Sequence, residues 1–429
     1  MRSIRILIAT SILGISSLVS FAASGELDRS FGTGQNGMTH FDTPYPISAL
    51  AVLPDDRFIG GDQCSQIGFG SHFCMIRYTV DGAIDTTFGA YGTVFTQMAS
   101  VGNESSTIVK LLVQSDGKII AGGYTQRTVG SNTYNYIAVA RYFPDGTLDT
   151  TFADQGKFFN LGTAVPTGMR LVDMALRPDG KLVILAGWPS ITASGSRVVL
   201  LRLNASGALD STFGTGGRVA RDYGSLSDYA GSIALGPDGK IVVGSQGTSE
   251  IRFVFEKYLS NADYDVSAGQ NGRISFYGGT SSLVRRVRIL PDGSTIALGN
   301  SFNFAHPTMM ITRLKPDLSF DASFAGTGLL FTNLAANNSC EGIDFQPRSD
   351  GRITLMANCS ISSSTFFGAS QEVARLRQDG SLDPQFGVGG RIVKLYRTYT
   401  GNSIVQSTGK IVVCGRTTQQ SGPLPGAFC

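Results

Sequence analysis

The chain has little of what usually carries metal or acid–base chemistry. It holds three histidines (His40, His72 and His306) and a single tryptophan, Trp188, in 429 residues. No H-x-H or H-E-x-x-H pattern occurs, so a histidine-based zinc site of the usual kind is excluded. There is no C-x-x-C among its six cysteines, which removes thioredoxin-like and ribbon-type metal chemistry. No D-x-D-x-D-G calcium loop occurs. Helical periodicity is absent throughout, and a nucleophile elbow needs a strand-to-helix turn. These absences lead us to expect no metal and no cofactor. Charge is also scarce and scattered. The formal +3 includes Arg2 and Arg5, so without them it is +1. With no basic stripe, nucleic acid is not expected as a partner.

Long apolar runs are missing as well. The one candidate follows the basic start Met1, Arg2, Ser3, Ile4, Arg5 and covers residues 6–19, short of the ~20 residues a span needs. The small residues Ser20 and Ala22 come next, so residues 1–22 read as a secretory signal peptide cut after Ala22. No cysteine lies at that cut to take a lipid. The expectation is a secreted or periplasmic chain, 23–429, with no membrane span, forming one monomeric domain.

What is abundant is glycine, 54 residues of it, and it recurs at fixed offsets. Three motifs alternate along the chain. One is a turn before an apolar run, clearest as Pro178-Asp179-Gly180-Lys181-Leu182-Val183, with further copies at Asp116-Gly117, Asp238-Gly239, Asp292-Gly293 and Asp350-Gly351. Proline sets φ, aspartate bonds the local backbone and glycine takes a positive φ, which makes a hairpin turn. The second is an apolar strand with a cation near its end, as at Arg77, Arg141, Arg202, Lys257, Arg313 and Arg375. The third is Leu-Asp-x-x-Phe, with glycine seven residues after the aspartate. Its aspartates are Asp28, Asp85, Asp149, Asp210, Asp265, Asp321 and Asp383. At the fifth copy Ala268 replaces the phenylalanine, which marks either a weaker junction or one filled by another side chain.

The copies recur about every 60 residues, and each unit holds four strand-like stretches. In the fourth unit these read as 217–223, 232–235, 240–245 and 252–258. A single four-stranded sheet cannot bury both faces, and radial repetition leaves only short edges. The expected fold is therefore all-β: a seven-bladed β-propeller with four antiparallel strands per blade. The repeated aspartates read as turn and capping residues, and the repeated arginines as their partners.

Six cysteines in an exported chain suggest disulfides. Cys64 and Cys74, Cys340 and Cys359, and Cys414 and Cys429 are each symmetric about a hairpin, so these three pairings are expected.

The set of motifs, as in Asp210-Ser211-Thr212-Phe213-Gly214 followed by Pro237-Asp238-Gly239-Lys240-Ile241-Val242-Val243, resembles the bacterial delta-60 repeat family over essentially residues 25–429. That resemblance implies an exported bacterial β-propeller of unknown function and carries no catalytic residues. The repeated turns commit one face to folding, whereas the loops of the other face vary. Segments 123–136, 187–197, 300–307 and 358–371 carry Tyr124, Arg127, Tyr134, Trp188, Phe302, Phe304, His306, Phe366 and Phe367. Variable loops on a rigid frame are where binding usually resides. The function expected is a binding, adhesion or scaffold module that engages a surface polymer or protein through these residues. The alternative is a propeller hydrolase, lyase or dehydrogenase with its site at the central channel.

Overall fold

A computed structural model describes residues 15–21, 26, 28–32, 38–41, 47–66, 69–98, 104–129, 132–159, 169–187, 197–222, 229–247, 252–279, 281–303, 306–334, 339–363, 366–394 and 398–417. Among these residues there is no helix, and all regular structure is β. The strands are β1 (Ile15–Phe21) and β2 (Met38–Phe41), then β3 (Ala49–Val52), β4 (Phe58–Gln66), β5 (Phe69–Tyr78) and β6 (Thr93–Thr96). They continue with β7 (Ser105–Val113), β8 (Ile119–Val129), β9 (Asn132–Tyr142) and β10 (Lys157–Phe159), and with β11 (Arg170–Leu176), β12 (Leu182–Gly187), β13 (Arg197–Leu203) and β14 (Arg218–Asp222). Next come β15 (Tyr229–Leu235), β16 (Ile241–Gly247), β17 (Arg252–Tyr258) and β18 (Arg273–Tyr277), then β19 (Ser281–Ile289), β20 (Thr295–Asn303), β21 (His306–Leu314) and β22 (Leu329–Thr332). The last are β23 (Ser339–Pro347), β24 (Ile353–Ser363), β25 (Phe366–Leu376), β26 (Arg391–Lys394), β27 (Thr398–Val405) and β28 (Ile411–Thr417).

These strands form five four-stranded sheets and one of eight strands. The larger sheet is β3–β6 and β7–β10 joined by a single parallel pairing, Ser71 with Ser105. All other strand pairings are antiparallel. The sheet made by both ends of the chain runs β2-β1-β28-β27. It abuts the first strands directly: Gln406 Nε2 donates to the Asp56 and Val80 carbonyls at 3.0 and 3.1 Å, and Ser407 N donates to Asp56 Oδ1 at 2.7 Å. The series of sheets therefore returns on itself.

Two expectations need correction. Each sheet begins one strand later than the sequence suggests. The stretch at 217–223 is the fourth strand (β14) of the preceding sheet, and β15–β18 make the next one. The Leu-Asp-x-x-Phe turn hides this boundary because it lies inside a sheet, between its third and fourth strands. Segments 123–136, 300–307 and 358–371 are also not simple loops. They are tall hairpins, with β8–β9, β20–β21 and β24–β25 in register to their tips. Residues 188–196 lie outside the described residues.

The recurrent arginine, aspartate and phenylalanine act together as a clasp. Arg202 Nε meets Asp210 Oδ2 at 2.8 Å, and its guanidinium lies 4.6 Å from the Phe213 ring centroid. Its Nη1 donates to the Ser260 carbonyl, on a turn of the following sheet, at 2.5 Å. Asp210 Oδ1 meanwhile accepts from Thr212 N and Oγ1, which closes its own turn. Arg77 and Arg141 repeat the geometry with Asp85/Phe88 and Asp149/Phe152 and donate to the Pro144 and Ala205 carbonyls. Each clasp fixes one sheet to the next.

Each ring sits beneath the turn of the following sheet. A Cβ on Gly207 would stand 2.8 Å from Phe152, and one on Gly82 would stand 2.5 Å from Phe31. The Ala268 junction inverts this arrangement. The turns over Phe31, Phe88, Phe152 and Phe324 have glycine and the turn after Phe213 has Ala262, whereas the turn after Ala268 has Leu318, buried at φ 63° in one apolar cluster with Ala268. Lys257 replaces arginine at the same junction, where there is no ring to cover. The gap is therefore filled by another side chain. Ala268→Phe alone should overpack the site and cost about 1–3 kcal/mol. Adding Leu318→Gly should recover most of that loss in denaturant melts, because it clears the space and relieves the positive φ. Additive losses would show that the two side chains do not share one volume.

Two of the expected disulfides are present. Cys64–Cys74 links β4 to β5 with Cα atoms 5.5 Å apart, and Cys340–Cys359 links β23 to β24 at 4.1 Å. The third is not formed: Cys414 is a free, buried thiol. The ladder position opposite it is held by Leu18 of β1, and Cys429 lies outside the described residues.

Candidate functional site

The first strand of every four-stranded set lines one common cavity of about 550 Å³ on the axis of the assembly. Six of these first strands carry a bulge, and the residue after the bulge is polar: Lys110, Asp173, Ser232, Arg286, Asp344 and Asn402. A bulge kinks the strand and re-aims the next side chain. At the same position the first set has Ala49.

These residues form a belt that passes from sheet to sheet. Lys110 Nζ contacts Asp173 Oδ1 at 2.9 Å, and Ser232 Oγ donates to Asp173 Oδ2 at 2.7 Å. Val287 N donates to Ser232 Oγ at 3.1 Å. Asp344 Oδ1 receives Arg286 at 3.4 Å and Arg288 at 3.5 Å, while its Oδ2 accepts from Ser403 Oγ at 3.1 Å. Arg286 Nη2 donates to Asn402 Oδ1 at 2.9 Å, and Asn402 Nδ2 donates to the Ser48 carbonyl. Ser48 Oγ donates in turn to Asp62, which is buried on β4.

Three cations, Lys110, Arg286 and Arg288, thus face two carboxylates, Asp173 and Asp344. Burial alone would raise the Asp173 carboxyl, but Lys110 and Arg286 outweigh it and bring it down to about 2. Burial lowers the Lys110 ammonium; Asp173 opposes that shift, and Arg288 and Arg286 reinforce it. An additional anion in this cavity would be electrostatically welcome.

Asp62 behaves in the opposite way. Burial pushes it from 3.8 up to about 6, against the hydrogen bonds from Ser48 and the Gln63 amide. The folded state therefore binds a proton that the unfolded state releases between those two values. Stability should fall as pH rises from about 4 to about 6 and stay level above that. Asp62→Asn should abolish this slope and raise stability at pH 7 by roughly 1–3 kcal/mol. Urea midpoints at pH 4 and 7 check the sign, and an unchanged slope would contradict it.

The loop-face residues expected from sequence are only partly brought together. Tyr124 lies under Arg170, with the guanidinium 4.6 Å from its ring centroid. Arg170 Nε also donates to Asn135 Oδ1 at 3.2 Å, and Arg127 stands 3.9 Å from Glu104. Tyr134 is half-buried on β9. The backbones of Phe302, His306, Phe366 and Phe367 lie in β20, β21 and β25, whereas their side chains, together with Trp188 and Phe304, lie outside the described residues. His72 is buried on β5.

The belt was missed in the sequence because the bulge breaks the period-2 alternation. Alignment on the Asp-Gly turn exposes it. Lys110, Asp173, Ser232, Arg286 and Asp344 each stand six residues before the turn aspartates Asp116, Asp179, Asp238, Asp292 and Asp350.

The family model of a β-propeller domain of unknown function, DUF5122, matches residues 114–152 and 177–213. Each match runs from the first turn of a sheet to the clasp phenylalanine, Phe152 or Phe213. No curated protein matches the chain. Among solved structures it is similar to an α-L-arabinanase from Penicillium chrysogenum, at 10% identity and a TM-score of 0.41, covering 81% of this chain and 94% of that one. It is also similar to the Nup133 β-propeller domain of Vanderwaltozyma polyspora, at 6% identity and a TM-score of 0.40, covering 86% and 96%. A regucalcin from Agrobacterium tumefaciens matches at 10% identity and a TM-score of 0.34, covering 75% and 85%. Likeness at this level says nothing about a shared activity.

Proposed function

We propose that this chain is an exported seven-bladed propeller of the delta-60 repeat type, and that it binds an anionic ligand in its central channel without catalysing a reaction. Support for seven blades comes from the eight-stranded sheet, whose halves meet at the single Ser71–Ser105 pairing. Each half repeats the four-strand order of the other sheets. Support for export comes from the leader-like residues 1–22 and the two disulfides. No helix among the described residues is long and apolar enough to cross a membrane.

The observation that carries the binding function is the excess of cations in the belt. A carboxylate-bearing ligand, such as an acidic sugar at the end of a surface polymer, would neutralise the third positive charge. Arg288 is the member best placed to receive it, because Asp344 keeps Arg286 as a partner if Arg288 is lost. Calorimetric titration with acidic and neutral oligosaccharides tests this. Acidic ligands should bind, binding should weaken with salt, and Arg288→Gln should reduce affinity about tenfold or more, the loss of one charge-assisted contact. Binding of neutral sugars alone, or no effect of Arg288→Gln, would refute a channel anion site.

A further inference from the structure

Three residues before its clasp cation, the third strand of a sheet buries an uncharged side chain: Cys74, Ala138, Val199, Val254 or Met310. At the same position β25 buries Glu372 completely. Neither of its carboxyl oxygens has a hydrogen-bond partner among the described residues. Arg391, the cation that bears on it, donates to the Leu334 carbonyl instead. Burial therefore pushes the Glu372 carboxyl up. A buried carboxyl without a partner is costly to keep and calls for an explanation.

The neighbours of Glu372 depart from the repeat as well. At one ladder level between first and second strands, two other sheets carry hydroxyl pairs, Ser106 opposite Thr125 and Ser282 opposite Ser301. Between β23 and β24 this level holds Cys340 opposite Cys359, both fully buried. Glu372 stands opposite Ala357, two residues before Cys359 on β24, so the carboxyl and that sulfur share one face. Ligand atoms of Cys340, Cys359 and Glu372 lie within 4.8 Å of one another. Three departures from the repeat thus meet at one point. The disulfide accounts for the sulfurs but not for the carboxyl, to which it offers neither a proton nor a charge.

We propose that Cys340, Cys359 and Glu372 form a three-donor zinc site in the reduced chain, and that the Cys340–Cys359 disulfide is the oxidised, metal-free form of the same site. Zinc takes thiolate sulfur and carboxylate oxygen in one tetrahedral set, and three protein donors leave its fourth position for water. The two thiolates and the carboxylate exceed the charge of the ion by one, which Arg391 offsets. The interconversion balances. A dithiol reductant passes two electrons and two protons to the disulfide and leaves as a disulfide itself, so that Cys340 and Cys359 become thiols. Zinc then displaces both thiol protons, and the Glu372 proton with them, to solvent. Oxidation reverses each step and releases the ion. The disulfide links only β23 and β24, whereas the ion would tie β23, β24 and β25 together.

The test compares the whole chain refolded with zinc under a phosphine reductant, then freed of excess metal, with the same chain oxidised. The expected result is one tightly held zinc per reduced chain and none per oxidised chain, with a zinc-dependent rise in melting temperature only in the former. Cobalt in place of zinc should give a thiolate-to-metal charge-transfer band, which Cys359→Ser abolishes. Glu372→Gln should weaken zinc binding by at least the ~10-fold that loss of even an outer-shell partner costs. Glu372→Val should do the same, and it keeps the packing by restoring the residue that β13 and β17 carry at this level. Cys64→Ser with Cys74→Ser, or Cys414→Ser, should leave both readouts unchanged. A reduced chain that holds no zinc, zinc held as tightly in both Glu372 variants, or a band that depends on Cys64, Cys74 or Cys414 would overturn the site.

Discussion

Phe213→Ala should destabilise the fold by about 3–5 kcal/mol, the range for removing a fully buried aromatic side chain. Phe213 is entirely buried in one apolar cluster with Ala262 of the next sheet and Ile241 and Val243 of β16. It also supports the Arg202 guanidinium 4.6 Å from its centroid, so truncation removes both filling volume and a cation–π contact. Because this clasp joins two sheets, the loss should appear in the global unfolding transition as well as in local exchange. A melting temperature within a degree of wild type would mean that the ring holds no junction.

Asp210→Ala should be comparably severe, at about 3–5 kcal/mol, because it leaves Arg202 buried without its counter-ion. Arg202 would keep only the Ser260 carbonyl and the Thr212 hydroxyl. The pH dependence separates this from simple packing loss. Burial would raise the Asp210 carboxyl, but Lys181, Thr212 and Arg202 outweigh it and hold it well below the ordinary carboxylate range. Asp85 is held down in the same sense by Thr87, Arg57 and Arg77. A depressed folded-state value means that the stabilisation is complete above the unfolded value near 4 and is lost as pH falls below it. The gap between wild type and Asp210→Ala should therefore be full at pH 7 and shrink at pH 3. A gap independent of pH would assign the loss to shape alone.

Much of this was legible in the sequence because the clasp uses residues with one strong local role each. Asp210 closes its own turn, Arg202 sits eight residues earlier on the adjoining strand, and Phe213 follows at a fixed offset, so a linear motif captures a three-dimensional unit. The sheet boundary was not legible, because the same motif looks like an end of the repeat and is an internal turn. The belt was not legible either. Lys110, Asp173 and Arg286 share no residue type, and a bulge shifts them out of the alternation that marks a buried face. Their common property is a place on the axis, which only the closed arrangement reveals. Hairpin symmetry also assumes that the neighbouring strand is the one next in sequence, whereas the described strand opposite Cys414 is β1, with Leu18 at that level.

The exchange of bulk between Ala268 and Leu318 has a consequence for how such a chain can evolve. If every junction used the same aromatic and glycine, any unit could be duplicated, deleted or moved without penalty. Leu318 placed after any other unit would collide with a phenylalanine, and Ala268 before any other unit would leave a hole. That mismatched joint ties its two sheets to each other, so the fifth and sixth can be inherited only as neighbours.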